Sequence, residues 1–236
     1  MAELKKSSQS SQSPLKGVCL ETPIAELTNW FQTYTGKLIS VTDPKPEDVD
    51  VVDVAHALSM TCRFGGHCRD FYSVAEHSVH VCEIGTAIRS HLNMTYPSTI
   101  ENTRHSLVLL LHDAAEAYVG DLITPLKRNL LGAKALETKW LRAIEQRFDL
   151  GTALSDPEES VKQADLCALS IEILSLYDRA DPIWWSKFKP PTILDLDQVS
   201  IDCWSPAEAR RKFLRLFTQL RDRLEGLRPE GPGKQP

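Results

Sequence analysis

The chain has 236 residues, enough for one full-sized domain or two small ones, and no long internal linker divides it. Its 42% hydrophobic and 25% charged residues exclude the disordered and fibrous classes. A formal net charge of -5 excludes a general nucleic-acid coat and a membrane-surface binder, while leaving room for a local basic pocket.

Residues 1–20, opening MAELKKSSQSSQSP, read as a disordered polar tail without the apolar core of a secretory signal, so a cytoplasmic location is expected. The cysteines Cys19, Cys62, Cys68, Cys82, Cys167 and Cys203 contain no Cys-x-x-Cys pair and are expected to be reduced. The longest apolar run beside a candidate helix, Leu107 to Leu111, is far short of the roughly 20 residues that cross a bilayer.

A single folded unit is expected over residues 21–226. Thr22 can cap a helix, Pro23 suits its first position, and Ile24, Leu27, Trp30, Phe31 and Tyr34 follow at helical spacing up to Gly36. Val51, Val52, Val54, Ala55, Leu58 and Cys62 form a second apolar face, with a short strand over the β-branched run Val49 to Val54 as the alternative. Ser73 caps a helix carrying His77, Val81, Ile84 and Ile88, and Glu76 at its third position supports that start. The next helix runs from Ile100 to Tyr118 and is ended by Gly120 and Pro125. Another covers Leu136 to Phe148, and Asp156–Pro157 opens one that passes through Asp165 to Tyr177.

Ser205–Pro206 opens the last helix, to about Leu224. Residues 181–199, with three prolines and the pair Trp184–Trp185, read as an irregular excursion or lid, and 227–236 as a disordered Gly/Pro-rich tail. Six or seven helices with hardly a strand make an all-α domain.

Phosphate loops, nucleophile elbows, His-Glu-x-x-His and dinucleotide fingerprints are missing from the sequence. What stands out is a set of groups able to bind metal on three different predicted helices: His77, the pair His112–Asp113, and Asp165. Two imidazoles and two carboxylates suit Mn, Fe, Co, Ni or Zn, with positions left for water and a phosphate oxygen. Glu116, at i+4 from His112 and i+3 from Asp113, overlooks the same spot and can orient or deprotonate water. A His-Asp pair alone is weak evidence. Glu116 and Asp121 read equally well as helix-end and loop solvation, His80 as a neighbour of the cluster or a surface group, and His91 and His105 as structural or surface residues.

The segments AHALSMTCRFGGHCRDFYSVAEHSVHVCE, LLLHDAAEAYVGDLITPLKR and VKQAD together resemble the HD-domain superfamily of metal-dependent phosphohydrolases, over about Thr33 to Tyr177. Within it the likeness is to bacterial 5'-deoxynucleotidases and phage dATP triphosphohydrolases. The resemblance implies an HD-domain helical bundle with a mononuclear or dinuclear metal site in its core, ligated by His77, His112, Asp113 and Asp165. It implies catalytic roles for Glu116 and Asp121, a phosphate contact for Arg63, and phosphate-chain contacts for Lys127 and Lys162. Several relatives carry Trp after the arginine where this chain has Phe64, which can still stack on a base but lacks the indole donor. Pro125 matches a residue facing the base from the other side, although alone it reads as a turn breaker.

The leading expectation is hydrolysis of a deoxynucleoside triphosphate of the dATP type; the alternatives are a 5'-nucleotidase on deoxynucleoside monophosphates and a non-catalytic nucleotide-sensing HD protein. The expected cofactor is Zn, Mn, Co, Fe or Ni, with Mg accompanying the substrate phosphates. The expected partner is a small-molecule deoxynucleotide, with no nucleic-acid polymer, no membrane, and assembly as a homo-oligomer.

Overall fold

The structure, a computed structural model, describes residues 29–93, 96–179, 181–186 and 200–227. The expected tail over 1–20, the start of the first helix at Thr22, most of the 181–199 excursion and the tail beyond Leu227 lie outside these residues.

The chain enters as a hairpin. Strand β1 (Trp30–Gln32) pairs antiparallel with β2 (Leu38–Ser40), with Phe31 opposite Ile39. This corrects the expected helix through Trp30, Phe31 and Tyr34. Gly36 adopts φ 90°, a left-handed turn conformation rather than a helix stop, and the Thr35 amide and hydroxyl both donate to buried Asp53. Those contacts hold the loop in a turn, and the hairpin meets the core through buried Ile39 and half-buried Phe31.

Helix α1 (Val51–Met60) resolves the helix-or-strand alternative: the Asp50 side chain caps it by accepting from Val52 N, and Val54, Ala55 and Leu58 are buried. A short 3₁₀ turn, Arg63–Gly66, follows, with Phe64 at φ 58° and Gly65 at φ 60°. The turn is pinned at its base by Arg63 N to Tyr72 O and Val74 N to Thr61 O.

Helix α2 (Val74–His91) begins as expected, with Ser73 Oγ accepting from Glu76 N. Helix α3 (Thr99–Leu111) carries a full capping box from Ser98 and Glu101. The continuous helix expected to Tyr118 breaks after Leu111. Ala114 N turns back to Leu111 O and Glu116 N to Asp113 O, while the His112 ring donates to Leu109 O, taking up a carbonyl at the helix end. A four-residue helix α4 (Glu116–Val119) closes at Gly120.

Helix α5 (Thr124–Asn129) was not anticipated: Pro125, read as a breaker, sits in its first turn, where a missing N–H costs nothing. Helices α6 (Ala133–Phe148), α7 (Glu159–Leu176), the short α8 (Pro182–Trp185) and α9 (Pro206–Gly226) complete the bundle.

Helix α2 is the central element. It packs against α7, α3, α9 and α1, and α9 lies across α1, α3 and α2. Among the described residues no helix is long and apolar enough to cross a membrane.

Candidate metal centre

Three segments converge at the first turns of α2. Helix α2 supplies His77, the broken end of α3 supplies His112 and Asp113, and the middle of α7 supplies Asp165. His77 Nε2 lies 3.2 Å from His112 Nε2, 3.4 Å from Asp113 Oδ2 and 3.2 Å from Asp165 Oδ1. His112 Nε2 lies 3.1 Å from Asp113 Oδ2 and 3.9 Å from Asp165 Oδ1. His77, His112 and Asp113 by themselves form a group able to hold a metal ion.

The donor chemistry fits a cation. His112 Nδ1 is 2.9 Å from the Leu109 carbonyl, which only accepts, so the ring proton sits on Nδ1. His77 Nδ1 is bonded in the same way to the Glu172 carboxylate. In neutral rings both Nε2 atoms then face each other as lone pairs, with carboxylate oxygens beside them. Acceptors gathered around one point without a donor call for a positive charge. Ligands about 2.0–2.1 Å from one metal stand about 2.8–3.4 Å apart across right to tetrahedral angles, the range of most of these distances.

The surrounding electrostatics point the same way. Burial works to raise the Asp113 carboxyl, but His112 and His77 hold it well below the usual range. Asp165 is lowered too, burial being outweighed by His77 and His112. His77 is pushed up although burial and Arg63 oppose it, because Glu172, Asp113 and Asp165 surround it.

Arg63 is delivered by its 3₁₀ turn. Its Nη1 stands 3.6 Å from Asp113 Oδ2, while Nε and Nη2 both reach Glu172 Oε2 at 3.1 Å. Glu116 is nearly inaccessible, its Oε2 has no partner, and its Oε1 is 3.5 Å from Lys127 Nζ. Burial, then Asp113 and Asp121, push its pKa well up. Asp121 is raised mainly by burial and feels Arg63, Asp113, His77 and Lys127.

Lys127 is held at 2.7 Å by Glu137. Lys162 is exposed one turn before Asp165 and pairs with Glu159 at 4.0 Å. Phe64 stands edge-on to Tyr177 with centroids 5.4 Å apart, and Pro125 is exposed. The structure thus brings Arg63, His77, His112, Asp113 and Asp165 together, with Glu116, Asp121 and Lys127 around them. Phe64 meets the cluster through the Arg63 guanidinium, 5.4 Å from its ring centroid, whereas among the described residues Pro125 and Lys162 make no contact with it.

Sequence reasoning missed Glu172 and Tyr72. Glu172 is fully buried and joins His77 to Arg63. Burial raises its carboxyl, yet Arg63, His77 and a hydrogen bond from Tyr72 bring it down to about 2. A signal existed: Glu172 stands seven residues after Asp165, two turns along one helix face. His80, placed near the cluster or at the surface from sequence, is buried and bonded at 2.9 Å to the Tyr72 hydroxyl.

The chain is 34% identical over 144 residues to the uncharacterized protein YfdR of Escherichia coli (strain K12), covering 61% of this chain and 70% of the relative. It is 33% identical over 147 residues to an uncharacterized protein of Rhodobacter capsulatus, with the same coverage. The family model described as 5'-deoxynucleotidase YfbR-like matches residues 49–148, which include Arg63, His77, His112, Asp113, Glu116 and Asp121. The all-α bundle, its His/Asp cluster and these matches lead to one statement: the chain belongs to the YfbR-like 5'-deoxynucleotidase family, metal-dependent phosphohydrolases of the HD-domain superfamily.

Proposed function

We propose that the protein hydrolyses the 5'-phosphate of 2'-deoxynucleosides, using a divalent transition metal (Zn, Mn, Co, Fe or Ni) held by His77, His112, Asp113 and Asp165. The observation that carries this reading is the set of inward-facing acceptors with a single guanidinium, Arg63, 3.6 Å from Asp113. One arginine fork beside one cation suits a phosphate monoester dianion. A bound metal supplies a Lewis acid and lowers the pKa of water.

The protein's own groups do the rest. Arg63 binds the phosphate oxygens and orients phosphorus. Glu116, shielded from solvent and raised in pKa, takes a proton from the attacking water. Asp121, also raised, returns one to the 5'-oxygen as the P–O5' bond breaks, leaving nucleoside and inorganic phosphate. Phe64 offers a ring for the base.

The triphosphate reading needs cations free for distal phosphates. Lys127 is committed to Glu137 and Glu116, and Lys162 pairs with Glu159, which favours the monophosphate. The proposal includes a cytoplasmic setting and a small-molecule substrate without a nucleic-acid polymer, a membrane or a required partner beyond further copies of the chain.

The test is a panel of Mn, Co, Zn and Mg against deoxy- and ribonucleoside mono-, di- and triphosphates with chromatographic resolution of products. Nucleoside plus phosphate from deoxymonophosphates supports the reading, and tripolyphosphate release from deoxytriphosphates replaces it. Glu116→Gln is expected to keep bound metal and lower kcat at least about a hundredfold; near-normal kcat would remove Glu116 from the mechanism.

A further inference from the structure

Glu172 is a buried carboxylate that holds two other elements of the site. His77 Nδ1 is bonded to Oε1, and Arg63 Nε and Nη2 both reach Oε2. Tyr72 stands beside this carboxylate and helps to keep it ionised. The Tyr72 hydroxyl is in turn hydrogen-bonded to His80 Nδ1 at 2.9 Å. Trp204 packs edge-on against the His80 ring, closing the back of this chain of bonds. The arrangement connects a ring facing the candidate metal position with the guanidinium beside it, through one side chain on a third element.

We infer that Glu172 is a positioning residue that sets two parts of the site at once. It keeps the His77 proton on Nδ1, so that Nε2 faces the cluster with its lone pair, and by taking Arg63 Nε and Nη2 it leaves Nη1 directed at the same point. This rests on the reading of His77 as a metal ligand and of Arg63 as a phosphate contact. Carboxylates bonded to the far nitrogen of a ligating histidine fix its tautomer and orientation, and their loss lowers metal affinity about 10–100-fold.

An isosteric substitution separates positioning from space filling. Glutamine has the same length but a single acceptor atom, and its other arm is a donor. If the amide oxygen serves His77, the NH₂ confronts the Arg63 fork; if it serves Arg63, the NH₂ faces His77 Nδ1 and forces the ring proton onto Nε2, which then cannot bind a metal. The amide can satisfy one side of the site only.

The experiment measures Co²⁺ affinity by chelator competition and inorganic phosphate affinity in the Co²⁺-loaded protein, for wild type, Glu172→Gln, Arg63→Ala and the double variant. Glu172→Gln is expected to lose at least tenfold in one of the two affinities. If the loss is in phosphate binding, the double variant is no worse than Arg63→Ala; if it is in Co²⁺ binding, Arg63→Ala alone does not reproduce it. Both affinities within twofold of wild type would overturn the inference.

A measurement on wild type covers the case of a variant that does not fold. Long-range ¹H–¹⁵N spectra of the zinc-loaded protein are expected to show the His77 ring protonated at Nδ1, with its proton shifted downfield as in a carboxylate-bonded imidazole. A His77 ring protonated at Nε2 overturns the assignment. Metal binding by wild type with unaltered Glu172→Gln sinks this inference alone, whereas a wild type that binds no metal sinks the proposed function with it.

Discussion

Helix α2 is buried on all sides through its first turns and on one side in its later ones, and its two halves bury chemically opposite groups. Its first turns bury Glu76, His77, Ser78 and His80; its later turns bury Val81, Cys82, Ile84 and Gly85. In the polar half almost every group has a named partner: Ser78 donates to Val74 O, Glu76 accepts from Trp204 N, His77 meets Glu172 and His80 meets Tyr72. Glu76 Oε1 alone lacks one, and burial pushes that carboxyl up to about 7. Burying such groups does not by itself stabilise a fold, because lost hydration offsets the new bonds. The apolar half, packed against α3 and α7, carries the hydrophobic gain that lets the other half be organised for chemistry.

The largest expected contrast comes from one truncation in each half. His77→Ala is expected to lose bound metal and more than about a hundredfold in kcat. Ile84→Ala is expected to cost about 2–5 kcal/mol in urea unfolding while each folded molecule keeps its metal and its turnover. Elemental analysis and unfolding curves on both variants decide it. Metal retained by His77→Ala, or metal lost by a folded Ile84→Ala, would show that the halves are not separable.

Sequence patterning reached the two halves unequally. Ser73 as a cap, the apolar spacing of α2 and the His112–Asp113 pair were legible because their signals are local. The break after Leu111 was not, because it depends on the His112 ring competing for the Leu109 carbonyl, a contact that hydrophobic periodicity does not encode. Glu172 was hidden for a related reason. Between Ile171 and Ile173 it reads as a solvated charge, and its partners Arg63 and His77 are 109 and 95 residues away. The hairpin at Trp30 was misread because three aromatics at helical spacing outweighed Gly36, whose φ of 90° suits a turn between strands.

A smaller effect, confined to the polar half, is pH-dependent. Burial lowers His80 to about 4 from an ordinary 6.5, so the folded protein keeps it neutral where the unfolded chain would protonate it. Stability from this group is complete above about pH 6.5 and is lost as pH falls toward 4. Between pH 7.5 and 5 the loss is about 2 kcal/mol. His80→Asn, which keeps a donor and an acceptor near Nδ1, is expected to lack that increment. Urea unfolding of metal-free wild type and variant at both pH values measures it, and identical pH dependence in the two would place the proton elsewhere.

The smallest expected effect probes the apolar half at its tightest point. A Cβ built on Gly85 would lie 2.6 and 2.8 Å from the Leu109 methyl carbons and 3.1 Å from Ala164 Cβ, so α3 and α7 both close on this one backbone position. Gly85 is not there for a left-handed conformation, since it lies within α2; it is there for the approach of its neighbours. In Gly85→Ala the overpacking costs about 1–3 kcal/mol. The gain of alanine over glycine inside a helix, about 1 kcal/mol, opposes it. Leu109 is fully buried and has little room to turn its methyls away, and Ala164 has no rotamer to change, so the clash outweighs the propensity gain. The net expectation is a loss of about 1 kcal/mol in urea unfolding with kcat unchanged. Shortening the opposing side chain removes the closest contacts, so Leu109→Val is expected to cost less in the Gly85→Ala background than in wild type. A Gly85→Ala variant more stable than wild type would show that α2, α3 and α7 can separate here at little cost, and that the apolar half is looser than its burial implies.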